Sequence, residues 1–208
     1  MRAAVATVVA LAAIALPSAA QAGQTAFGSD LSAPANMIET HPVDSAFWAT
    51  QLPGGGIVRS PGHGKIATIK LKGNVVKHGS TPVTLFHFQI LHPVSGGKVH
   101  VSLTSGPFHV PVGGNANQIT TYHPVNLCAK KGDYVDFNDV GGYKPSNYPN
   151  GTPFRVFSSV PDATTDFFSK AGATNNGATF KGKAHVGEEL LMRMVLVTGQ
   201  KAGYCQNH

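Results

Sequence analysis

Charge is scarce in this chain. Only 12% of its 208 residues are Asp, Glu, Lys or Arg, and the sole glutamates are Glu39, Glu188 and Glu189. A glycosidase-type site needs two carboxylates flanking one bond, so it has few candidates here. The usual catalytic signatures are missing as well: there is no Gly-x-Ser-x-Gly elbow, no His-Glu-x-x-His, and no phosphate-cradling glycine loop ending in Lys-Ser or Lys-Thr. Basic residues occur as singles and pairs, such as Lys70, Lys72, Lys130-Lys131, Lys181 and Lys183. Dense runs that track phosphates are absent, so nucleic acid is not an expected partner.

Long apolar runs are equally few. The one at the start follows Arg2, extends from Ala3 to Leu16, and ends at Pro17, Ser18 and the small-residue stretch Ala20-Gln21-Ala22. It is too short for a bilayer core of about 30 Å and closes on a cleavage pattern. We read residues 1–22 as a secretory signal peptide, cleaved before Gly23, and expect a secreted product with no membrane span. Residues 23–208 suffice for one domain.

Cysteine is limited to Cys128 and Cys205. In an oxidising compartment such an isolated pair reads as a disulfide, because metal sites want closer spacing and more ligands. The loop it closes is long enough to make the bond worth on the order of 4 kcal/mol.

What the chain does contain is glycine (24), proline (14) and short β-branched runs separated by turn signals. That composition predicts an all-β domain, a single jelly-roll-like sandwich with little or no helix. Residues 23–60 show no clear pattern and are expected to be irregular. Strands are expected at Ile66–Lys72, Thr84–Leu91, Lys98–Leu103, Phe108–Val112, Gln118–Tyr122, Tyr134–Asn138, Phe154–Ser158, Ala178–Lys183 and Glu189–Thr198.

Histidine is in excess, with ten. A hairpin turning at His92–Gly97 and pairing Leu91 with Lys98 sets Gln89 opposite His100, with His87 diagonal to it. Three histidines converging on that face, His109 being the third, could bind a metal or supply a general base. Asp136, Asn138 and Asp139 form the densest oxygen cluster, and Gly141-Gly142 follows it. A structural calcium ion is the cofactor such oxygens could take, although turn capping explains the same residues. The Pro- and Gly-punctuated loop at 142–151 carries Tyr143, Lys144, Asn147 and Tyr148. Tyrosines on such a loop can stack on a sugar ring while Lys and Asn bind its hydroxyls.

The segments Asn126–Asp139, Thr174–Phe180 and Gly187–Met192 resemble secreted actinobacterial β-sandwich proteins of unassigned function. That resemblance implies a fold and an exported location, and no site residues. His87-Phe88-Gln89 and the segment Tyr143–Tyr148 also resemble parts of jelly-roll polysaccharide lyases, in which a tyrosine and a histidine handle the proton. Catalysis of that kind would use His87, Gln89, His100 and Tyr143. The lyase arginine motif is not visible, and the His and Gln stand in reverse order. The reading that follows is a non-catalytic extracellular module binding carbohydrate or another cell-envelope component; a lyase-like enzyme and a structural or adhesive protein are the alternatives.

Overall fold

A computed structural model describes residues 23–42, 44–139, 148–199, 202–203 and 205. Residues 1–22, expected to be a signal peptide, and the loop residues Tyr143, Lys144 and Asn147 lie outside the described residues. The expected all-β sandwich is present, with fifteen strands among the described residues where the pattern indicated at least eight. Among those residues no helix is long and apolar enough to cross a membrane.

Two antiparallel sheets face each other. In the smaller, β15 (Met192–Val197) lies between β1 (Gln24–Gly28) and β4 (Gly64–Lys72), and β4 also carries β9 (Ile119–Tyr122) and β10 (Cys128–Ala129). The larger runs in the order β13 (Thr179–Lys181), β7 (Lys98–Thr104), β6 (Leu85–Val94), β11 (Tyr134–Asp139), β3 (Ser45–Gln51), β12 (Phe154–Ser169) and β14 (Lys183–Leu190). Short strands β2 (Met37–Glu39) and β5 (Asn74–Val75) join β12, and β8 (Phe108–His109) joins β6.

Strand alternation sends Phe86, Phe88, Ile90, Val135, Phe137 and Phe47 to the inter-sheet core, where they meet Ile66, Ile69, Met194 and Leu196 from the smaller sheet. Aromatic rings dominate; Phe86 and Phe137 lie 4.8 Å apart between centroids. The outer face of the larger sheet is not bare. Trp48, Leu91, Val99, Val101, Tyr134 and Phe180 form a second cluster there. As a result β11 is buried on both faces along its whole length.

Three expectations need correction. The segment 23–60 is not irregular, since it supplies β1, β2 and β3. In β3 the core takes Phe47 and the outer cluster takes Ala46 and Trp48; with both faces apolar, no alternation marks the strand. The run Glu189–Thr198 is two strands. Leu190 ends β14 in the larger sheet and Met192 begins β15 in the smaller, with buried Leu191 crossing between them. The hairpin register also differs: Lys98 pairs with Val94 rather than Leu91, and His100 pairs with His92. Gly96 and Gly97, at φ of 75° and 67°, make a tighter turn than the proline at 93 suggests, so Pro93 stays within β6. A register shift between Ile90 and Leu91 then brings Gln89 opposite Thr104.

The Cys128–Cys205 disulfide is formed, spanning 77 positions and fastening the C-terminal segment to β10. Removing both sulfurs by Cys128→Ser and Cys205→Ser should lower unfolding free energy by about 3–4 kcal/mol. Urea denaturation of the double variant, compared with the oxidised protein, checks this; coincident curves would show that the bond does not constrain the unfolded chain.

Candidate functional site

The site is assembled on β6 and β11. Sequence reading set His87 and Gln89 on one strand face and Asp136 and Asn138 on one face of another. The sheet register merges the two faces: Gln89 lies directly opposite Asp136, and His87 opposite Asn138. His87, Gln89 and Asn138 of the merged face form the floor of a pocket of about 440 Å³. Thr104 at the end of β7, Asp44 before β3, and Thr174, Asn175 and Asn176 from the 170–178 loop complete its walls.

Hydrogen bonds hold nearly every wall residue in place. The Gln89 side chain is buried, and its Nε2 donates to Thr104 Oγ1 at 2.9 Å and to the Thr174 carbonyl at 2.7 Å. Thr104 in turn donates to Asn176 Oδ1 at 2.6 Å. Asp44 Oδ2 accepts from the Gly172 amide and pins the loop over the sheet. Asn138 Nδ2 donates to the Ser45 carbonyl. His87 Nδ1 lies 2.8 Å from the Ser105 carbonyl; only the Nδ1–H tautomer satisfies that contact, which leaves Nε2 of the neutral ring as an acceptor.

One polar atom of the floor is unsatisfied. Gln89 Oε1 is buried and meets no hydrogen-bond partner. Leaving a buried acceptor unpaired costs about 1–3 kcal/mol, so a ligand hydroxyl or amide that reached it would recover that cost. Beneath the floor, Asp136 Oδ1 accepts the Gln89 backbone amide at 2.8 Å, while Oδ2 is unpartnered. Burial pushes the Asp136 carboxyl well above its ordinary value, the Gln89 hydrogen bond opposing only in part. Asp139 is raised too, by burial and then by the Asp44 charge.

The other expected site residues disperse. His100 is not near His87; its Nδ1 meets Thr179 Oγ1. It lines a separate cleft of about 600 Å³ beside the disulfide, with His63 and His92. There His92 Nδ1 is 2.7 Å from Asp133 Oδ1, and His63 Nε2 meets the Cys205 carbonyl, so the larger cleft has its histidines already engaged. His109 sits on β8 with Nδ1 against Thr84 Oγ1. Tyr148 does not stack at the surface. Its ring is buried, and its hydroxyl donates to the Ser80 carbonyl while accepting the His78 amide, so it fastens its own loop. The calcium set is also split, because alternation turns Asp139 to the core side of β11 and Asp136 and Asn138 to the outer side. Among the described residues no group of three His, Cys or acidic ligands includes Asp136 or Asp139.

A constellation that sequence reading missed lies at the β2–β12–β14 margin. Glu39, His185 and Glu188 bring one ligand atom each to within 4.8 Å of one another. Burial, then the adjacent Glu39 charge, pushes the Glu188 carboxyl up to about 8. Burial acts to raise Glu39 too, but the hydrogen bond and charge of His41 outweigh it and hold that carboxyl below its usual value. No motif links these residues in sequence, because strand pairing across three elements makes the group.

Comparison with family models, curated proteins and solved structures found no match to the chain. The class defined here is that of the fold and pocket: an all-β sandwich with an amide-lined pocket on the outer face of its larger sheet.

Asp136 carries a signed pH dependence. Its folded-state pKa is raised, so its contribution to stability is complete below the ordinary carboxylate range and is lost as pH rises through the folded value. Asp136→Asn keeps an acceptor for Gln89 and cannot ionise. Denaturation midpoints should therefore fall less between about pH 4 and pH 8 in the variant than in the wild type; parallel pH curves for the two proteins would contradict the burial argument.

Proposed function

We propose that the protein is an exported, non-catalytic β-sandwich module whose outer-face pocket binds carbohydrate or another polyhydroxylated component of the cell envelope. The observation that carries this reading is the buried, unpartnered Gln89 Oε1 in a pocket whose walls are hydroxyl, amide, imidazole and carboxylate groups. Sugars are recognised by such fixed polar groups, and donors and acceptors held by other hydrogen bonds lose little entropy on binding. The pocket takes over the binding role first expected of Tyr148, which has no free face or hydroxyl to offer; Tyr143, Lys144 and Asn147 lie outside the described residues.

A lyase-like enzyme has less support. His87 and Gln89 do share the pocket, but His100 lies in the other cleft, so the expected His/Gln/His set is not assembled. Asp44, the pocket's carboxylate, already accepts a loop amide.

Glycan arrays extended with soluble peptidoglycan fragments test the reading. Binding should be saturable, and His87→Ala or Asn176→Ala should each weaken it about tenfold, the loss of roughly one well-made hydrogen bond. Both variants should keep the wild-type melting temperature to within a few degrees. Silence across the array, or binding indifferent to both substitutions, would overturn the assignment.

A further inference from the structure

Glu188 is a buried carboxyl outside the pocket with one oxygen unpartnered. Its side chain is 3% exposed, and Oε1 has no hydrogen-bond partner. Oε2 lies 3.4 Å from His185 Nδ1. The Glu39 carboxylate faces the same point, held by His41 Nε2 at 3.0 Å. Phe167 backs the group, its ring 4.2 Å from that of His185 and 5.3 Å from that of His41.

Two carboxyl groups and an imidazole thus converge, and among the described residues no Lys or Arg is ion-paired with them; His41, on the far side of Glu39, is the one basic group beside them. Something positive must occupy such a place for both acids to be ionised, because like charges so close and so dry oppose each other. We propose that Glu39, His185 and Glu188 bind a divalent transition-metal ion of the zinc class, with His41 positioning Glu39.

The donor set selects the class of ion. An imidazole nitrogen among carboxylate oxygens suits zinc and its neighbours, whereas calcium and magnesium ask for six or more oxygens. The spacing agrees: ligands about 2.0–2.1 Å from a tetrahedral ion stand roughly 3.3 Å apart, close to the His185–Glu188 separation. Glu39, whose ligand atom lies within 4.8 Å of the other two, closes the third side by moving inward, within reach of a partly exposed side chain. His185 is 27% exposed and opens the site to solvent, both for the arriving ion and for a water in the fourth position. His41 serves as the outer partner that orients a ligating carboxylate. This site is separate from the pocket, and neither depends on the other.

The test is calorimetric titration of chelator-stripped full-length protein with zinc chloride, followed by anomalous diffraction at the zinc edge. One ion per chain is expected, with the anomalous peak between Glu39, His185 and Glu188. Glu188→Gln and His185→Asn should each weaken zinc binding about 100-fold or more, and His41→Ala about tenfold. His100→Ala, in the other cleft, should leave it unchanged. If Glu188→Gln fails to fold, the partly exposed His185 supplies the same comparison. Absence of stoichiometric binding, a peak in the His63–His92–His100 cleft, or affinity unaltered in His185→Asn would overturn the proposal.

Discussion

The Gln89 backbone amide donates to a carboxylate that water cannot reach, and the outer half of this molecule is organised around that contact. It exists because β11 is covered on both sides. Val135 and Phe137 on its inner side belong to the inter-sheet core. The outer side carries Tyr134 into the Trp48 cluster and sets Asp136 and Asn138 beside β6. Polar groups placed there must find partners within the protein, since an orphaned buried group costs as much as a lost hydrogen bond or more. Gln89 supplies a partner to Asp136 through its backbone and spends its side-chain amide on Thr104 and Thr174. The 170–178 loop is thereby drawn over the sheet, and the pocket is what the loop does not fill.

Much of the architecture was legible because its causes are local. Period-two alternation marked β4, β7, β9 and β11 to within a residue or two. The disulfide followed from the expected compartment and the cysteine count, with no geometry required. Where alternation fails, the reading fails with it. The strand β3 has Phe47 buried on one face and Trp48 on the other, so nothing in its pattern separates it from a loop. β12 is longer than its apolar start suggests, because its second half runs through Asp162, Thr164 and Asp166 after a register shift beyond Ser159. Pro161 falls in that irregular stretch, where a missing amide does no harm.

The site was visible only in halves. His87 with Gln89, and Asp136 with Asn138, could each be placed on a strand face from spacing alone. That the two faces are one depends on which strands are neighbours, and sequence spacing carries no such information. The misplacement of His100 has a different origin, a three-residue error in register caused by taking the whole of His92–Gly97 as the turn. Register errors of this kind reassign every cross-strand neighbour beyond the turn. The Glu39–His41–His185–Glu188 group was out of reach for the same reason as the merged face: β2 and β14 meet only because both pair with β12.

Two buried acids, Asp136 and Glu188, therefore mark two different solutions to one problem. In the first one carboxyl oxygen accepts the Gln89 amide while Oδ2 has no partner, and the Gln89 side chain leaves a further neutral acceptor, Oε1, unpaired. In the second one oxygen stands 3.4 Å from an imidazole nitrogen and the other has no partner, with a second carboxyl alongside. The central claim concerns the first, that the Gln89 amide and its neighbours form the recognition surface. Side-chain amide NMR of nitrogen-15-labelled protein, titrated with a panel of soluble oligosaccharides, addresses it most directly. Saturable, concerted shifts of the Gln89, Asn175 and Asn176 amide groups are predicted for at least one ligand; binding that leaves those three groups unmoved, while signals from the His92–His100 cleft shift, would contradict it.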